Sequence, residues 1–362
     1  MDFNIICFML ITIILIFIGF IKKNSNIIFI IQIIWMYLLL AGNTQSMDYG
    51  VYTNMFETSQ NKESAIGNIY AYLCYLAGQI GLDFFEFNAV INIFIMIIII
   101  YILKKYTKNY CFVMSLLFIY PFIENIIQKR FYLASIIVCL AIVSFLLKKG
   151  IIYKFIYIIL IIIATYVHQS AIFYLLFLIY PIINKKKTFI IMFIISMVFS
   201  LFLPDLSSIF FAEKTELYFG ELHSKIKYPI LNFILWSGFH ICFVFLYYIF
   251  YSKCKKHISN KIFYKYIISI NKINICSLLF IPMYAWEPTF FRIFRGILLL
   301  NYIAISMIIP SGYKYYKIVF YSMIIYIIYI IISFVCIYFF ASAGYKEMIE
   351  PIFINNILLE SI

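Results

Sequence analysis

Three arginines stand out against twenty-five lysines in this chain: Arg130, Arg292 and Arg295. A guanidinium is a planar fork that donates paired hydrogen bonds to phosphate oxygens, whereas an ammonium acts as a point charge. Arg292 and Arg295 are three apart, so a helix carries them on one face. The groups able to work beside them are few: the carboxylates of Asp48, Glu63 and Glu287, and the imidazole of His168. A histidine titrates near neutrality and suits proton transfer. His240 lies inside an apolar run and His257 in a lysine-rich stretch, and no histidine has metal-ligand spacing. The chain has no D-x-D pair, with which many nucleotide-sugar transferases hold a divalent metal. It also lacks a glycine-rich phosphate loop, H-E-x-x-H and G-x-S-x-G. ATP-driven transport, zinc proteolysis and serine-hydrolase chemistry are disfavoured, and neither metal nor cofactor is expected.

The medium that surrounds these groups is set by composition. Hydrophobic residues make up 65% of the 362 positions and charged residues 12%, against about 45–50% and about 25% in soluble domains. That much apolar surface needs lipid as its solvent. The expected fold class is all-α, a polytopic integral membrane protein forming one transmembrane domain over residues 1–362. The net charge of +13 does not imply a nucleic-acid partner, because the lysines fall in short clusters between apolar runs, as cytoplasmic loops do. Eight scattered cysteines without a C-x-x-C pair read as small hydrophobes, not as a disulfide framework.

Apolar runs predict about twelve spans: 4–21, 27–41, 88–103, 109–124, 128–147, 151–166, 168–184, 188–203, 229–250, 266–284, 290–309 and 317–340. The first follows Asp2 and precedes Lys22 and Lys23, so it reads as a span and not as a cleaved signal. With the N-terminus outside, 19 of the 28 basic residues face the cytoplasm, and all fifteen acids fall on the other side or at its edge. The stretch 151–184 is too long for one crossing, so a turn is expected near His168. Residues 68–80 are too short to span and read as an interfacial or re-entrant helix within an outer loop, 42–87. A second outer loop covers 204–228. Tyrosines of the first loop, Tyr52 and Tyr70 among them, fit an interfacial aromatic belt and are also candidates for stacking on sugars.

Helix rise then places the arginines. Arg130 is 18 residues from Lys148, about 27 Å along a helix, near the outer edge of the hydrocarbon. Counted from Ile309, Arg292 and Arg295 lie about 26 and 21 Å from the cytoplasmic end. Burying such a cation unpaired costs several kcal/mol, so it is either a site residue, a snorkelling anchor or an ion-pair partner of Glu287 or Glu124. Lipid phosphates sit at this depth. The residues alone therefore predict an outward site for a phosphorylated lipid.

Four stretches make the chain resemble the EpsG family and Wzy-type O-antigen and capsule polymerases. They are Asp48-x-x-x-Tyr52-x-x-x-Phe56 with Glu63, Arg130-x-x-Leu133-Ala134, His168-x-Ser170-Ala171, and Arg292-x-x-x-Gly296. Phe131 stands where the family usually has Gln after the arginine. The resemblance runs over roughly residues 45–310 and implies a GT-C-like fold in the bacterial cytoplasmic membrane. The implied reaction transfers a growing glycan from undecaprenyl pyrophosphate to a lipid-linked repeat at the outer face. It further implies a pyrophosphate clamp of Arg130, Arg292 and Arg295, and a base chosen from His168, Asp48, Glu63 and Glu287. His168 is the first choice; its rival role is to cap the turn. A chain-length regulator and a flippase are the implied membrane partners. An O-antigen ligase would carry its largest outer loop late in the chain, whereas here 42–87 is longest. A lipid-linked oligosaccharide flippase would line a mid-membrane path with charge, whereas these charges lie to one side.

Overall fold

The computed structural model describes residues 3–183, 185–205, 229–255, 260–308, 317–341, 344–354 and 356–360. Most of the expected outer loop 204–228 lies outside the described residues. Helices dominate, and among the described residues there is no strand, only an isolated bridge between Asn43 and Asn356.

The first half comprises α1 (Phe3–Ile21), α2 (Asn26–Ala41), α3 (Tyr49–Thr58), α4 (Lys62–Ala65), α5 (Ile69–Gln79), α6 (Phe84–Tyr106), α7 (Tyr110–Ile119), α8 (Phe122–Ile127), α9 (Lys129–Ala141) and α10 (Ile151–Val167). The rest comprises α11 (Lys186–Leu201), α12 (Pro229–Cys254), α13 (Lys261–Ser277), α14 (Phe291–Arg295), α15 (Leu298–Ser306), α16 (Lys317–Cys336), α17 (Glu350–Ile354) and α18 (Ile357–Glu360). Six helical stretches among the described residues are long and apolar enough to cross a membrane, from Phe84–Tyr106 to Lys317–Phe339. The protein is membrane-embedded.

Chemistry at the helix ends follows the sequence. Asp83 and Glu86 form a reciprocal capping box at the start of α6 (Glu86 N to Asp83 Oδ1, 2.8 Å; Asp83 N to Glu86 Oε2, 3.0 Å), satisfying two N–H groups that the helix leaves open. Asn68 caps α5 through its side chain, accepting from Tyr70 N at 2.9 Å and Ala71 N at 3.2 Å. Gly150, at φ +115, makes the turn into α10 in a region of backbone space that residues with a Cβ avoid. The expected single span over 109–124 is instead two helices. Helix α7 ends at Ile119 with Tyr120 as its C-cap, Pro121 has no N–H to continue it, and α8 begins at Phe122. Span α9 passes into a π-helical turn at Ile142–Leu146.

The chain forms two compact units. One comprises Met1–Ile172, Leu298–Lys314 and Ile327–Ile362; the other comprises Phe173–Ile297 and Tyr315–Tyr326. The first unit is knit by buried polar contacts between helices. Gln32 Nε2 donates to Leu15 O (3.1 Å) and Ser115 Oγ (3.2 Å), which ties α2 to α1 and α7. Gly42 gives Asn356 its place, since a Cβ there would lie 2.0 Å from Asn356 Oδ1. The second unit is built on α11 to α14, with Ser196 Oγ donating to Leu279 O and Trp286 Nε1 to Ser200 O (2.7 Å).

Candidate functional site

In the first unit, segments far apart in sequence meet around Arg130. The guanidinium donates from Nη2 and Nε to Val167 O (3.0 and 3.3 Å) and from Nη1 to Met55 Sδ (3.4 Å). Its central carbon lies 5.6 Å from the centre of the Tyr70 ring, a cation–π distance. Val167 is the last residue of α10, whose final carbonyls lack helical partners. Arg130 thus closes that end and holds the next residue, His168, in place. Helix α10 stops there because His168 turns to an extended conformation (φ −146°, ψ 116°). The sequence predicts a hairpin near this residue; the structure shows α10 ending here and the chain going on as a 3-10 helix, Gln169–Ile179. His168 Nδ1 is 2.8 Å from Ser170 Oγ, and the Phe131 ring meets the imidazole edge-on at 5.4 Å between centres. Phe131 is therefore the wall against which this imidazole packs.

Helix α3 lies over the same ground. Tyr52 packs on Tyr70 with 6.1 Å between ring centres, and Tyr70 meets Phe87 at 5.4 Å. Tyr52 and Tyr70 are 7% and 1% exposed, so their faces are taken by protein neighbours and not offered to a sugar in this conformation. Burial pushes the Tyr70 phenol well above its usual range, Cys74 and Tyr52 add to this, and only the Arg130 charge opposes it. Burial likewise pushes the Cys74 thiol up to about 12, again against the pull of Arg130. The Tyr49 hydroxyl is raised by burial and then by the charge of Asp83. Of the carboxylates, Asp48 heads α3 and is half-buried, whereas Glu63 stands exposed in α4. Glu124 is buried in α8 and accepts from the Tyr338 hydroxyl.

Lys129 is a site residue that the sequence alone does not single out. It is 3% exposed, and its ammonium donates to Asn88 Oδ1 (3.1 Å) and to Asn43 O (3.5 Å), with the Tyr49 ring 5.5 Å away. Asn88 in turn donates to Ala41 O (3.0 Å) and accepts from Asn92 Nδ2 (3.1 Å). One signal was present in the sequence. Lys129 is among the nine basic residues outside the cytoplasmic clusters, and it directly precedes Arg130.

The second unit holds the other two arginines on α14. Arg295 is 7% exposed and Arg292 half-buried, and Glu287 is buried just upstream, accepting from Thr289 N at 3.4 Å. Behind α14 stands His240, fully buried, its ring stacked on Phe294 at 3.9 Å and 27°. The ring belongs to a directed chain of hydrogen bonds. Ser277 Oγ gives its one proton to Asn274 O (2.7 Å), so it accepts from His240 Nε2–H (2.9 Å). His240 Nδ1 then accepts from the Tyr284 hydroxyl (2.7 Å). This assignment by partners fixes a neutral tautomer. Tyr174 adds a second brace by donating to Ile293 O at 2.7 Å. His240 is a scaffold residue whose two nitrogens are both committed. Among the described residues, no group of three His, Cys, Asp or Glu is placed to hold a metal ion.

The fold and the cations gathered in the first unit define an all-helical, membrane-embedded protein with a cationic, histidine-bearing cluster built from α3, α5, α9 and the end of α10. A model of the EpsG family matches residues 26–350. The chain belongs to the EpsG family, which is associated with glycosyltransferase-like polymerase activity in exopolysaccharide biosynthesis. No curated protein and no solved structure gives a significant match to the chain.

Proposed function

We propose that the protein is a bacterial polysaccharide polymerase. It transfers a growing glycan from undecaprenyl pyrophosphate to an incoming lipid-linked repeat at the outer face of the cytoplasmic membrane. In this reading the chain crosses the membrane about twelve times as a single GT-C-like transmembrane domain. It works beside a flippase that delivers repeats and a regulator that sets chain length.

The chemistry needs three things. The acceptor hydroxyl attacks the anomeric carbon of the donor, and the bond from that carbon to the pyrophosphate oxygen breaks. Undecaprenyl pyrophosphate leaves with the bonding pair, and the hydroxyl proton passes to a base. Arginine forks at the interface offset the charge that grows on the leaving group. His168 takes the proton, with Asp48, Glu63 and Glu287 as the alternatives. The leaving group is already a pyrophosphate, so neither nucleotide nor metal has to be supplied.

One observation carries the reading. Arg130 and His168 belong to motifs 38 residues apart in sequence, and the guanidinium holds the carbonyl of Val167, the residue next to the imidazole. A cation for the leaving group and a base for the acceptor are thereby fixed to one another. Deleting the gene and resolving the surface glycan by size tests it. Loss of long chains with a single-repeat species kept is the expected ladder. Loss of all glycan points to a ligase or flippase and removes the polymerase reading.

A further inference from the structure

Lys129 poses a problem of charge. Burying an ammonium costs several kcal/mol unless an anion or a full set of acceptors offsets it. Here the acceptors are neutral: one backbone oxygen, one side-chain amide oxygen and the face of Tyr49. Among the described residues none of its contacts is with a carboxylate. A methionine of similar length would pack there at less cost. The next residue is a second cation, Arg130, so the start of α9 concentrates positive charge at the expected outer edge of the membrane.

Both cations also lie under one short helix. The inner face of α3 sets Tyr49 over Lys129, Met55 against Arg130 and Tyr52 on Tyr70. Its outer face carries Val51, 67% exposed, with Asn54 and Glu57 exposed beside it. Lys129 meets from α3 the π face of Tyr49, and Arg130 meets from it the thioether of Met55. Both are weak partners beside a phosphate oxygen, which gives a charge-assisted hydrogen bond.

We propose that Lys129 is a diphosphate-binding residue and that α3 is the cover an anionic lipid headgroup displaces to reach it. This rests on the polymerase reading for the nature of the lipid, and it adds a cation and a moving part to that site. Diphosphate oxygens would replace the Tyr49 face and bridge Lys129 to Arg130 while Asn88 keeps the ammonium aimed. Tyr49 and Tyr52 would leave with α3.

The test uses the full-length chain purified in detergent, with farnesyl diphosphate as a short lipid diphosphate, inorganic pyrophosphate as the free anion, and farnesol as the uncharged tail. Lys129→Met should weaken farnesyl diphosphate binding about 10- to 100-fold, the range for one charge-assisted hydrogen bond, and Lys129→Arg much less. Tyr49→Leu should bind at least as tightly as wild type, with faster association. In the wild-type chain, amine acylation of Lys129 scored by peptide mass should slow when diphosphate is present, whereas Lys105 should react unchanged. This arm needs no variant to fold. Protection by inorganic pyrophosphate equal to that by farnesyl diphosphate supports the site and shows that it reads the bare anion. Greater protection by farnesyl diphosphate supports it and shows that the tail contributes. Equal protection by farnesol, or by neither anion, overturns it, as does wild-type affinity in a folded Lys129→Met. If binding follows these rules but lipid-linked repeats are never lengthened, the polymerase reading fails alone. If repeats are lengthened equally by Lys129→Met and wild type, this inference fails alone.

Discussion

In the first unit, Lys129 meets an amide oxygen of α6, the backbone oxygen of Asn43 and a tyrosine face of α3, while Arg130 meets the last carbonyl of α10, a thioether of α3 and a tyrosine face of α5. In the second, Arg292 and Arg295 ride a five-residue helix whose back is fixed by a fully buried stack and a hydrogen-bond chain with every proton assigned. A histidine thus stands by Arg130 in the first unit and another by Arg292 and Arg295 in the second, and the two do different work. His168 is half-buried at a helix break and its ring is set by Ser170. His240 is sealed in the core with both nitrogens committed. A polar group that is meant to change partners during a reaction is held loosely enough to do so, while one that holds a shape is fully satisfied.

The largest expected effect breaks this comparison at the histidines. His168→Ala should lower turnover by about 10²–10⁴, the usual contribution of a general base, while the melting temperature of the purified protein stays near wild type. Full activity in His168→Ala would hand the base to Asp48, Glu63 or Glu287 and leave His168 as the cap of α10. The arginines come next. Arg130→Ala and Arg295→Ala should each cost about 10²–10³ in turnover and remove long chains at normal protein abundance. Arg130→Lys keeps the charge without the fork, so shortened chains are expected. Wild-type chain length in both alanine variants would make these residues anchors.

Much of this fold could be read in the sequence, because lipid imposes a simple rule: every run of apolar residues long enough must be a helix. The boundaries of α2, α10 and α12 lie within a few residues of those expected from hydropathy. The end of α10 at His168 followed from length alone. Local chemistry inside a run was less legible. The split at Pro121 and the π-helical turn after Ala141 leave hydropathy unchanged, since neither alters how apolar the segment is. At the site, the rare arginines drew notice through their depth. Lys129 did not, because one lysine among twenty-five carries no signal until its burial is seen. Tyr70 reads from sequence as a belt aromatic or a sugar-stacking candidate, and only the structure shows its ring packed beside a guanidinium.

His240 sharpens the comparison from the stability side. His240→Phe keeps the ring stacked on Phe294 but gives the Tyr284 hydroxyl no acceptor. Stranding that group in the core should cost about 1–3 kcal/mol, seen as a lower melting temperature in detergent. Activity measured well below the new midpoint should stay closer to wild type than that of His168→Ala. A greater loss of turnover in His240→Phe than in His168→Ala, at matched folded fraction, would reverse the roles assigned to the two residues.

The smallest effect comes from the far end of the same chain of hydrogen bonds. Tyr284→Phe removes the donor to His240 Nδ1 and leaves an imidazole nitrogen with an unused lone pair, while the ring still packs against Phe291 at about its present 6.1 Å. Deleting one hydrogen bond of this kind costs about 0.5–1.5 kcal/mol. The double variant tells more than the single one. Tyr284 and His240 share a bond, so their costs should not add. Once His240 is Phe, the Tyr284 hydroxyl is stranded, and removing it as well should recover part of the lost stability. A double variant of Tyr284→Phe with His240→Phe should therefore melt above His240→Phe alone. If the two losses simply sum, the directed chain from Tyr284 to Asn274 does not brace α14, and the contrast between the fixed α14 and the yielding α3 loses its basis.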